Sequence, residues 1–168
     1  LRDEQAQVVK EMENHECGVL SAPTGFGKTV VAAALIASLK RSTLIIVHTR
    51  PLLLQWQERL KTFLGITPGL IGGGASAPSG IVDIAVINSL AQEQHHELLG
   101  RYGVVIVDEC HHAAAVTYEQ TLRLVRAKRV YGLTATPMRS DGHHDIIFMQ
   151  CGPLIHRIDQ KRWREQGN

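Results

Sequence analysis

Gly18-Val19-Leu20-Ser21-Ala22-Pro23-Thr24-Gly25-Phe26-Gly27-Lys28-Thr29 is the stretch whose reading decides the fold. Gly18 to Ser21 reads as a short buried strand, and Lys28 to Leu39 as an Ala- and Leu-rich helix. The loop between them carries two glycines, which let backbone N–H groups converge on phosphate oxygens with no Cβ in the way. The helix opening at Lys28 points the positive end of its dipole at the same place. Lys28 supplies a point charge for the β- and γ-phosphates, and the Thr29 hydroxyl a ligand for Mg²⁺. The common pattern is G-x-x-x-x-G-K-[ST]. Ala22 holds its first position here, so the strict pattern fails by one methyl group. A chance glycine-rich turn is the competing reading, and the strand before and helix after argue against it.

Outward from this loop, apolar runs alternate with helical patterns. Leu1 to Met12 reads as an amphipathic helix. Thr43 to Val47, Pro68 to Ile71, Ile81 to Ile87, Val104 to Val107 and Arg129 to Thr134 read as strands. Pro51 to Phe63, Ser89 to Leu99 and Tyr118 to Val125 read as helices. Gly72 to Gly80, rich in Gly, Ala, Ser and Pro, reads as a loop. Asp141 to Asp145 reads as a turn. Strands that are apolar along their length, alternating with helices, predict an α/β fold with a mostly parallel sheet and helices on both faces.

Val104-Val105-Ile106-Val107-Asp108-Glu109-Cys110-His111 is an apolar strand ending in two acids, with Asp108 eighty positions beyond Lys28. In an open parallel sheet the carboxyl ends of the strands line the ligand crevice, where the glycine loop also belongs. Asp108 is suited to hold Mg²⁺ through water, and Glu109 to orient and deprotonate a water attacking the γ-phosphate. A solvated strand-to-loop turn is the alternative, and the pairing with Lys28 and Thr29 weighs against it. Cys110, His111 and His112 are adjacent. They converge poorly on one tetrahedral zinc, and no Cys-x-x-Cys accompanies them. His95-His96 and His143-His144 read as exposed polar residues.

The chain has 168 residues, enough for one domain with a full core, and a net charge of +2 that by itself announces no nucleic-acid partner. Three widely spaced cysteines suit a reducing compartment, so a cytoplasmic location is expected. No apolar run is long enough to span a bilayer, and no signal peptide is evident. A first residue other than Met and a basic, polar end read as a piece of a longer protein.

Taken in order, Pro23-Thr24-Gly25-Phe26-Gly27-Lys28-Thr29, Asp108-Glu109-Cys110-His111 and Thr134-Ala135-Thr136-Pro137 resemble a superfamily 2 helicase or translocase of the DEAD/DEAH-like kind, specifically its first RecA-like domain. The resemblance runs from Leu1 to about Gly152 and implies ATP with Mg²⁺, the metal held by Thr29 and Asp108. It implies a RecA-like ATP-binding domain over 1–152, with 153–168 beginning a linker to a second RecA-like domain. Gln5, in Leu1-Arg2-Asp3-Glu4-Gln5, is similar to the family's adenine-reading glutamine, whose amide both donates and accepts. His48-Thr49-Arg50-Pro51 through Gln55-Trp56 looks like the motif that touches the nucleic-acid backbone, with Thr49 and Arg50 at a strand end. Gly73, in Gly72-Gly73-Gly74, and Asn88 and Ser89 look like further strand contacts. The alternatives are an amphipathic helix start for Gln5 and an ordinary strand-to-helix turn for Thr49 and Arg50, whereas the Gly72-Gly73-Gly74 and Asn88-Ser89-Leu90 segments could equally be plain turns. Thr134, Ala135 and Thr136 resemble the segment that couples ATP hydrolysis to movement. Met138-Arg139-Ser140-Asp141-Gly142 resembles its extension in translocase-like members.

His111 in the fourth acidic-motif position matches DEAH-like rather than DEAD-type members, and Cys110 reads as a small buried residue. No arginine-finger motif is found. The resemblance therefore implies a nucleic-acid-dependent ATPase whose isolated first half turns over ATP poorly, with DNA a better fit than RNA and no membrane partner. A motor of a restriction or defence complex, a non-motor P-loop switch or kinase, and a degenerate nucleotide-binding scaffold are the other readings. The Thr134-to-Pro137 segment opposes the switch or kinase, and the intact Lys28, Thr29, Asp108 and Glu109 oppose the scaffold.

Overall fold

The computed structural model describes residues 1–111, 116–135 and 151–165. In chain order the elements are α1 (Asp3–Glu13), β1 (Cys17–Ser21), α2 (Lys28–Leu39), β2 (Thr43–Val47), α3 (Arg50–Leu64), β3 (Gly69–Gly72), β4 (Ala75–Ala77) and β5 (Val82–Val86). They continue with α4 (Ile87–Leu90), a 3₁₀ turn (Glu93–His95), α5 (His96–Leu99), β6 (Val104–Val107), α6 (Val116–Leu124), β7 (Arg129–Thr134), β8 (Leu154–Arg157) and α7 (Gln160–Glu165).

The described strands form one sheet in the order β4-β3-β5-β2-β6-β7-β1-β8. Every neighbouring pair is parallel except β3 with β4. Period-2 alternation sorts the buried strands between two cores. Leu20, Ile45, Val47, Val104 and Ile106 join Val8 and Met12 of α1, Leu35 and Ile36 of α2, and Leu53, Trp56 and Leu60 of α3. Val19, Leu44, Ile46, Val105 and Val107 join Leu90 of α4, Leu99 of α5 and Tyr118 of α6. The expected parallel sheet with helices on both faces is thus the observed architecture. α2 is apolar nearly all round because it packs between α1 and α3.

Three segments differ from the sequence reading. The Gly72–Gly80 stretch contains β4, antiparallel to β3, and the turn joining them is Gly73-Gly74, both at positive φ. Ser89–Leu99 is not one helix: α4 ends at Leu90, and Gln92 is extended before the 3₁₀ turn. Where the sequence reads a linker from 153, β8 pairs in parallel with β1 and α7 follows it. The Asp141–Asp145 turn and the Met138–Gly142 extension lie outside the described residues.

Candidate nucleotide and nucleic-acid edge

Because the strands run parallel, their carboxyl ends share one edge of the sheet, and strand order divides that edge into halves. β6, β7 and β1 are consecutive in space and end in Asp108-Glu109, Thr134-Ala135 and the glycine loop. β3, β5 and β2 form the other half and end in Gly72-Gly73, Asn88-Ser89 and Thr49-Arg50. The residues expected at a nucleotide and those expected at a nucleic acid therefore lie on adjoining halves of one edge.

In the first half, the loop is tied to β7 by the Ala22 N–H donating to the Thr134 carbonyl at 3.0 Å. Gly25 and Gly27 both have φ of 90°, a conformation that disfavours any Cβ, and Gly27 caps α2. The Lys28 ammonium donates to the Ala22 carbonyl at 3.0 Å. Burial pulls its pKa below the ordinary lysine value, against the opposing pull of the Glu109 and Asp108 charges. Lys28 is thus within electrostatic reach of both acids. Gln5 is buried beneath the loop: its amide donates to the Phe26 carbonyl at 2.7 Å and accepts from the Arg2 N–H at 2.9 Å. One amide hydrogen and one oxygen lone pair remain beyond these two bonds.

Asp108 is 8% exposed. Burial pushes its carboxyl above the ordinary aspartate range and the Glu109 charge adds to this, while bonds from Trp56 and the Glu109 N–H and the Lys28 charge pull it back. Glu109 has φ of 48°, left-handed for a residue with a side chain, which costs about 1–3 kcal/mol. The turn aims its carboxylate across to β7: Glu109 Oε2 is 3.5 Å from the Ala135 N–H and 3.3 Å from His111 Nδ1. His111 Nδ1 is also 3.1 Å from Thr134 Oγ1. Glu109, His111, Thr134 and Ala135 therefore form one contact group joining the ends of β6 and β7. Thr136 lies outside the described residues. Cys110 is fully buried, and burial holds its thiol well above the ordinary value, which suits packing rather than redox chemistry.

In the second half, Arg50 and Asn88 are exposed and Thr49 caps α3, its hydroxyl accepting from the Leu52 N–H at 3.5 Å. A Cβ on Gly72 would lie 2.5 Å from Ser89 Oγ, and one on Gly73 would lie 2.9 Å from the Arg50 side-chain carbons. These glycines are small because Ser89 and Arg50 pack over them, so Arg50, Gly73 and Ser89 are one cluster.

Two expectations are corrected. Trp56, grouped with the backbone-contacting motif, faces inward at 2% exposure and donates its indole N–H to Asp108 Oδ2 at 2.7 Å. One helix, α3, thus carries Arg50 at one half of the edge and a donor to the acid of the other half. His95 is buried rather than exposed, bonded to Gln94. Among the described residues no group of His, Cys, Asp or Glu is placed to hold a metal by itself.

Residues 1–139 match the family described as type III restriction enzyme, res subunit. The chain belongs to that family. It carries the first RecA-like motor domain of the superfamily 2 kind. The DNA 3'-5' translocase XPB2 of Sulfurisphaera tokodaii is 38% identical over 157 residues, covering 94% of this chain and 35% of the relative. The helicase domain of Pyrococcus furiosus Hef superposes with a TM-score of 0.79 at 21% identity, over 98% of this chain and 40% of that structure. The SWI2/SNF2 ATPase core of Sulfolobus solfataricus in complex with dsDNA gives a TM-score of 0.75 at 16% identity, over 90% of this chain and 36% of that one. The chain thus spans about a third of the translocase it resembles. No helix among the described residues is long and apolar enough to cross a membrane.

Proposed function

We propose that this domain is the ATP-binding half of a motor that translocates on DNA, working with a second RecA-like domain. The observation that carries the reading is the arrival of Lys28, Asp108 and Glu109 at one half of the carboxyl edge, each within electrostatic reach of the others. The donor set fits the group: a cationic amine, a threonine hydroxyl opening a helix and a buried carboxylate. Pro23 to Thr29 hold the phosphates, and Thr29 and Asp108 are the residues that would hold Mg²⁺ as in a DECH-type acidic motif. That ion, when bound, neutralises phosphate charge. Gln5 reads the adenine with its remaining N–H and lone pair. Glu109 takes a proton from the attacking water onto its carboxylate. Thr134, Ala135 and Thr136 pass the change at Glu109 toward the DNA half, where Thr49, Arg50, Gly73, Asn88 and Ser89 meet the phosphodiester backbone. DNA is favoured over RNA by the translocase relative's name and by the dsDNA-bound ATPase core of like fold. A cytoplasmic location suits the free thiols.

A missing arginine finger costs about 10³–10⁵ in rate, so the domain alone turns over ATP slowly. The test is ATP turnover by the full-length protein with and without duplex DNA. Glu109→Gln is expected to lower stimulated turnover by about 10²–10⁴ while retaining nucleotide binding. DNA-stimulated turnover that survives this substitution would overturn the assignment.

A further inference from the structure

We infer that Trp163 is a positioning residue for the phosphate loop, tying the helix at the far end of the chain to the nucleotide site. The inference rests on the reading of residues 22–29 as that site. Phe26 lies between two glycines, yet its ring is fully buried. The ring meets Trp163 edge-on, with centroids 5.2 Å apart and planes at 67°. Its carbonyl is held by two donors, Gln5 at 2.7 Å and the Arg2 guanidinium at 2.5 Å. That guanidinium in turn lies over the Trp163 ring, 4.6 Å from its centroid, and 5.9 Å from that of Phe26. Trp163, Arg2 and Phe26 are therefore one interlocked group. Trp163 is itself 6% exposed.

The helix bearing Trp163 is anchored to the strand that feeds the loop. β8 pairs with β1, and the Ile158 N–H donates to the Ser21 carbonyl at 2.8 Å. The Asp159 backbone carbonyl then accepts the Trp163 backbone N–H at 3.0 Å. The loop's backbone donors act on phosphate only if they are held in a convergent arrangement, and such preorganisation appears as affinity. Gly25 and Gly27 give the loop little stiffness of its own. The stiffness enters through Phe26, whose ring Trp163 fixes and whose carbonyl Arg2 and Gln5 fix.

The test is Mg-ADP affinity of the full chain by titration calorimetry, with urea unfolding in parallel. Trp163→Leu keeps apolar bulk and removes the ring face under Arg2; it is expected to weaken ADP binding about 5- to 20-fold. Trp163→Phe restores an aromatic face and is expected to stay within about 3-fold of wild type. A variant less stable than wild type but with unchanged ADP affinity would mean Trp163 only fills space, and overturns the inference. A second readout needs no fold-weakening change. Mg-ADP is expected to alter indole emission more in wild type than in Trp163→Phe, because Trp163 reports the loop. Equal changes, arising from Trp56 alone, overturn the inference. Absence of ADP binding by wild type overturns the nucleotide reading itself, whereas binding that Trp163→Leu leaves intact overturns only the role of Trp163.

Discussion

Replacing Trp56 by Phe removes the indole N–H that reaches Asp108 Oδ2 across 2.7 Å. Both partners are buried, at 2% and 8% exposure, so water does not take the donor's place. A hydrogen bond to a charged group contributes about 1.5–3 kcal/mol, and leaving a buried carboxylate short of a donor puts this case in the upper half of that range. Trimming indole to phenyl adds on the order of 1 kcal/mol for the space left in the core around Leu53 and Leu60. The expected loss is about 3–4 kcal/mol, large but within the stability of a domain of this size. Urea unfolding measures it, with an unchanged slope showing that the native fold persists. A double-mutant cycle with Asp108→Ala isolates the bond: without its acceptor, Trp56→Phe costs only the packing part. A coupling energy of about 2 kcal/mol is expected, and one below about 0.5 kcal/mol would refute the claim that Trp56 sustains the acid. The same change is expected to raise the Asp108 pKa further, since the lost bond is one of the influences holding it down.

Gly27→Ala is expected to cost more stability than Gly25→Ala, although both glycines have φ of 90°: the new methyl at position 27 meets Gln5 Nε2 at 2.6 Å, whereas that at 25 meets nothing within 4 Å. Equal urea midpoints for the two variants would contradict the role given to Gln5 under the loop. At the opposite end of β5, burial alone would raise the pKa of Asp83, but bonds from Ser79, Tyr102 and the Ser79 and Gly80 backbone hold it below the ordinary value. Its contribution is therefore full above the unfolded carboxylate value of about 4 and is lost as pH falls through the lower folded value. Tyr102→Phe deletes one of these bonds, so it is expected to cost about 1.5–3 kcal/mol at neutral pH and to narrow the window of acid loss, whose lower end moves up toward the unfolded value. Superimposable stability-against-pH curves for the two proteins would contradict this.

The half of the edge proposed to hold nucleotide was legible as a cluster because its signals are local. A glycine loop between strand and helix, and two acids ending an apolar run, each carry their chemistry within a few residues. The parallel sheet followed from strands apolar on both faces, as the burial of every residue in β2 and β6 bears out. What escaped depends on contacts between distant positions. Nothing near Trp56 marks Asp108 as its partner, and an amphipathic helix accommodates a tryptophan inward or outward with equal ease. The edge-on contact of Trp163 with Phe26 joins residues far apart in the sequence for the same reason. β4 was hidden by composition: Ala75-Ser76-Ala77 has no β-branched or aromatic residue, and only its pairing with β3 makes it a strand. The break after Leu90 was hidden by helix-compatible residues that bury only at Leu90, His95 and Leu99.

The nucleotide site is tested most directly by thermal unfolding of wild type and Lys28→Ala with Mg-ADP. Saturation at a hundred times the dissociation constant stabilises a protein by about 2.7 kcal/mol. For a domain of this length that corresponds to a rise in Tm of roughly 5–10 °C. Wild type is expected to show that rise and Lys28→Ala little of it. Equal rises in the two proteins, or none in wild type, would contradict the placement of the triphosphate at residues 22–29.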